Sequence, residues 1–91
     1  MPLDQDTRDE LRYALRRYLS ARPTAALSLD MIRHGLLAKG LDVNEADILD
    51  ALTFWAGLSP AQVKVVKPHK HAQTKAWQIT SDGVLAQESG E

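Results

Sequence analysis

The chain has 91 residues, 44% hydrophobic and 25% charged, with a formal net charge of −1 and no cysteine. That length suits one domain with one modest core, burying roughly 60–65% of the surface its unfolded form exposes. The composition excludes disulfides, thiolate metal sites, cysteine nucleophiles and any bulk basic signal for nucleic acid, and no apolar run approaches the ~20 residues of a membrane span.

The first helix is expected to begin near Asp4 or Asp6, where a carboxylate can cap orphan amides. Leu11, Ala14, Leu15, Tyr18 and Leu19 recur at helical spacing and form its apolar face. Arg8, Arg12 and Arg16 step by four along a different face, predicted to be solvated together with Arg17. A dimer or phosphate contact is the other use for these arginines. Arg22-Pro23 stops the helix, because proline disfavours the α conformation in the residue before it.

Ala26-Leu27 reads as a short extended piece, and Ser28 is a good cap for a second helix over Ser28–Lys39. Leu29, Ile32 and Leu36 face inward there, and Gly40 ends the helix. Gly35 inside it is either a point of close helix packing or a tolerated defect. Asn44 caps a third helix ending at Ala56, with Ile48, Leu52 and Trp55 inward and Gly57 closing it. Ala46, Asp50, Thr53 and Gly57 lie on the opposite side, flanked by Asp47 and Phe54.

After Ser59-Pro60 the period changes to two. Val63 and Val65 alternate with Lys64, and Trp77 and Ile79 alternate with Ala76, Gln78 and Thr80. Antiparallel strands over 62–67 and 75–80 are predicted, joined by residues 68–74 as a projecting, mobile tip. Thr80 or Ser81 can cap a last short helix through Val84 and Leu85, with 87–91 as a frayed tail. The whole chain, 1–91, reads as one domain with its core over about 8–86.

Charge is distributed unevenly along this order. Residues 43–58 hold Glu45, Asp47 and Asp50 and no cation, whereas 59–80 hold Lys64, Lys67, Lys70 and Lys75 and no carboxylate.

Helix, short strand, helix, helix, two-stranded hairpin and short helix is the order of an α+β domain. Ser28-Leu29, Ile32, Leu36, Ile48, Ala51-Leu52, Trp55, Gly57-Leu58, Trp77-Gln78-Ile79-Thr80 and Gly83 carry a resemblance to the winged helix-turn-helix superfamily of small bacterial DNA-binding regulators. The resemblance implies a three-helix core with a two-stranded β wing and a short C-terminal helix. It also implies a third helix that enters the DNA major groove and a wing that touches backbone or minor groove. The sequence departs from that pattern in its third helix, because carboxylates are repelled by phosphate and the commonest specific base contact is Arg or Lys to guanine.

The candidate DNA-contacting set is therefore the wing: Lys64, Lys67, His69, Lys70, His71 and Lys75. A solvated loop whose lysines block edge pairing is the plainer use of the same residues. On the outward third-helix face, Asp47, Asp50, Thr53 and Phe54 are candidates for DNA or a protein partner. Phe54 with Leu49 forms a partner patch, or is covered by the wing or a second subunit. Trp55 and Trp77 belong to core-facing stripes. His69 and His71 lack further nearby ligands, so no metal is expected. No cofactor is expected either, and no nucleophile triad, phosphate-cradling loop or zinc-hydrolase motif is present.

The expected function is that of a non-enzymatic DNA-binding winged-helix protein, a transcriptional regulator or accessory factor. The alternative is a protein-interaction module using the acidic third helix. A homodimer through the long first helix is compatible with both. The N-terminus lacks the basic and apolar regions of a signal peptide, which makes the cytoplasm the expected location.

Overall fold

The computed structural model describes residues 4–66 and 75–90. Each helix starts at the side chain best suited to start it. Helix α1, Gln5–Ser20, is capped by Asp4, whose carboxylate accepts the Thr7 amide at 2.7 Å. Hydrogen bonds from the Thr7 amide and hydroxyl hold the Asp4 carboxyl below the usual carboxylate range. The helix stops before Arg22-Pro23, and the Arg22 guanidinium folds back over the Tyr18 ring, 4.3 Å from its centroid.

Strand β1 is only Leu27–Ser28, and Ser28 also caps helix α2, Leu29–Ala38, accepting the Met31 amide. Gly40, at φ +86°, turns the chain out of α2 in the left-handed region that glycine adopts without a Cβ clash. Asn44 caps helix α3, Glu45–Ala56, through the Asp47 amide at 2.9 Å. Strands β2, Val63–Val66, and β3, Ala76–Ile79, follow. Thr80 then caps helix α4, Ser81–Ser89.

Among the described residues the architecture is α+β, four helices and a three-stranded antiparallel sheet in the order β1-β3-β2. The register pairs Val63 with Ile79 and Val65 with Trp77 on one side of β3, and Leu27 with Trp77 on the other. The short extended piece at Leu27 is thus a third strand of the sheet, an addition to the two-stranded expectation. Two residues are too few to show a strand period, so this pairing is fixed by β3 rather than by β1 itself.

The core lies between the helices and the inner face of the sheet. Leu11, Leu15, Leu19, Ile32, Leu36, Ile48, Leu52 and Val63 are its fully buried members, with Trp55 and Trp77 also buried. Both tryptophans are core residues, as their stripes predict. Gly35 resolves as close packing: a Cβ there would meet the Tyr18 ring of α1. Alternation fails at two strand positions. Val65 is half exposed although it shares a strand face with the buried Val63, and Ala76 is buried although it is out of phase with Trp77.

Two further expectations are corrected. Arg16 does not belong to a solvated face, since it is only 2% exposed. Nor do residues 87–89 fray: α4 continues through Ser89, ends at Gly90 with φ +78°, and contributes Gln87 to the environment of Arg16. The predicted tip over 68–74 lies outside the described residues. No helix among the described residues is long and apolar enough to cross a membrane.

Candidate nucleic-acid interface

The outward side of α3 and the β2–β3 hairpin carry the residues singled out from the sequence. Lys64 is exposed on β2 opposite Gln78, and Lys75 is exposed immediately before β3. Because Val66 pairs with Ala76, the two lysines are about three rungs apart along the ladder, roughly 10 Å. Both arms of the hairpin therefore present a cation to solvent, Lys64 within β2 and Lys75 just before β3. Lys67, His69, Lys70 and His71 lie outside the described residues.

Along α3, Asp50, Thr53 and Phe54 are exposed, while Asp47 is half-buried in the first turn. Thr53 is partly committed to its own helix, its hydroxyl donating to the Leu49 carbonyl at 2.8 Å. Phe54 has a neighbour that the sequence did not suggest. The Arg12 guanidinium lies 3.8 Å from its ring centroid, and Trp55 meets the ring edge-on at 5.0 Å. Among the described residues the cover on Phe54 comes from Arg12 of α1 and from Trp55, and Phe54 is still 36% exposed.

Arg12 and Arg16 explain how this surface is held. The Arg16 guanidinium lies beside both Trp55 and Tyr13, 4.8 and 5.2 Å from their ring centroids, while the two rings meet each other edge-on at 5.7 Å. Its Nε donates to Gln87 of α4, and one terminal nitrogen donates to Gln62 at 2.9 Å. The Trp55 indole in turn donates to the Arg12 carbonyl. Gln62 is a junction: its amide donates to Trp55, its carbonyl accepts from Thr80, and its side chain accepts from Arg16. The sheet is thereby fixed to α1, α3 and α4 at one point, which sets where the hairpin leaves the core.

A helical projection offered a signal for the buried arginine. At 100° per residue, Arg12 and Arg16 fall about 20° and 60° beyond Leu19, on the flank of the apolar face rather than opposite it. What no projection supplies is the pair of distant glutamines that meet the guanidinium. Arg17, by contrast, is exposed as expected.

Elsewhere, His34 is exposed on α2 beside Asp30, 3.4 Å away. Among the described residues no three His, Asp or Glu side chains converge in a metal-binding group. A cleft of about 280 Å³ lies between α1 and the end of α2, lined by Glu10, Arg17, Tyr18, Leu36, Lys39 and Leu41 among others. Its lining holds one carboxylate and two cations. No protein-family profile, no curated protein and no solved structure matches the chain.

Proposed function

We propose that this chain is a non-enzymatic winged helix-turn-helix protein of the cytoplasm, a transcriptional regulator or accessory factor, that contacts the DNA backbone through its β2–β3 hairpin. The element order and the β1-β3-β2 sheet support the winged-helix part, since they place a third helix and a hairpin in succession after a helix pair. The inversion of charge between adjacent elements carries the DNA part. Lys64 and Lys75 are exposed on the hairpin arms, and the segment 59–80 contains no carboxylate. The third helix has no Lys or Arg to offer a base edge. Lysine at a phosphate is a positioning contact without sequence information, so binding is expected to be sequence-tolerant and strongly salt-dependent.

The test is fluorescence anisotropy of a labelled duplex at several salt concentrations. Replacing Lys64, Lys67, Lys70 or Lys75 with glutamine should lower the slope of log affinity against log salt by about 0.9 for each phosphate that is no longer neutralised. Affinity should fall similarly across unrelated duplexes. Absence of binding by the unmodified protein at low salt would overturn the proposal.

A further inference from the structure

The solvent side of α3 joins exposed apolar side chains to carboxylates. Leu49 is 43% and Phe54 36% exposed, with Asp50 and Thr53 exposed between them. The helix carries Glu45, Asp47 and Asp50 and no cation, and Asp42 precedes it. Among the described residues none of these four carboxylates forms an ion pair. Glu45 and Asp47 lie in the first turn, where the helix dipole stabilises negative charge. Asp50 is beyond that turn, where the dipole does nothing for it. The same face already accommodates a guanidinium, that of Arg12 over Phe54.

We infer that this face docks a basic amphipathic segment of a protein partner. Leu49 and the exposed part of Phe54 take its apolar side chains, and Asp50 with its acidic neighbours pairs with its Lys or Arg. Charge complementarity selects this occupant. Phosphate and acidic peptides are repelled, and a neutral apolar segment would strip water from carboxylates without giving them a partner. Duplex binding and peptide docking rest on different residues, the hairpin lysines and the outward side chains of α3, and separate titrations read them.

The experiment is a titration of the ¹⁵N-labelled 91-residue chain with a synthetic helical peptide that has a leucine face and arginines elsewhere. Two control peptides replace the arginines with glutamates, or the leucines with serines. Chemical-shift changes are expected to cluster at Ala46, Leu49, Asp50, Thr53 and Phe54. Either control should bind at least about fivefold more weakly, as should the variants Leu49→Ser and Asp50→Lys against the original peptide. Both substituted positions are exposed, and unchanged indole signals from Trp55 and Trp77 report that each variant keeps its core. Shifts centred on another element, equal binding of either control, or unweakened binding by both variants would each overturn the inference. Loss of duplex binding with peptide docking intact would remove the DNA proposal alone.

Discussion

Arg16 is held at 2% exposure by the amide oxygens of Gln62 and Gln87 and by the faces of Trp55 and Tyr13. Burying a guanidinium is costly unless its donors are met, and these partners come from three separate stretches of chain. Truncating it to alanine would take the Arg16 donors from two amide oxygens and remove a side chain packed against both rings. Arg16→Ala should therefore destabilise the fold by ~2–4 kcal/mol, measured by urea denaturation. Arg16→Met keeps much of the packing and should cost less than the alanine change. Equal stability of Arg16→Ala and the unmodified protein would show the side chain to be an unconstrained surface group. Arg17, exposed one position on, supplies the control, since an alanine there is expected to change stability by no more than ~0.5 kcal/mol.

At the level of elements, α4 is more than an ending. Thr80 starts it by accepting the Gly83 amide while its hydroxyl donates to the Ala61 carbonyl at 2.7 Å. Gly83 then lets the first turn lie directly on the Gln62 carbonyl and the Ile79 side chain, where a Cβ would collide. Helix propensity and tertiary contact make opposite demands at this residue. Propensity alone favours Gly83→Ala by ~1 kcal/mol. Collision with backbone and core should reverse the sign and cost ~1–3 kcal/mol. A thermal melt decides between them: a raised midpoint for Gly83→Ala would mean that α4 does not rest on Gln62. The position of the hairpin depends on the same contact, because Gln62 leads directly into β2.

Across the molecule, net charge says little and its arrangement says more. The total of −1 conceals an acidic α3 followed by a segment with four lysines. If the hairpin lies along DNA, α3 carboxylates on the same chain oppose the approach of phosphate within a Debye length of about 10 Å at 0.1 M salt. Replacing Asp47 and Asp50 with asparagine should then strengthen duplex binding at low salt, with the gain shrinking as salt rises. Anisotropy at two salt concentrations is sufficient to see it. An unchanged affinity at low salt would place α3 away from the bound duplex.

The helices, their starts and the hydrophobic stripes are legible in the order of residues, because they depend on neighbours within a turn or two of one another. Ser28, Asn44 and Thr80 cap α2, α3 and α4 through amides three residues ahead, and Trp55 and Trp77 fall on inward stripes. The candidate lysines and the acidic outward face of α3 were legible for the same reason: charge and period are local properties. Other features required the folded chain. Leu27 becomes a strand only by pairing with Trp77, and Phe54 is partly covered only because α1 crosses α3. Arg16 is buried, and α4 is held through Gln87, by contacts 46 and 71 residues apart in sequence. A hydrogen bond across that distance leaves no period in the chain. It exists only once the core has brought the two ends of the molecule together.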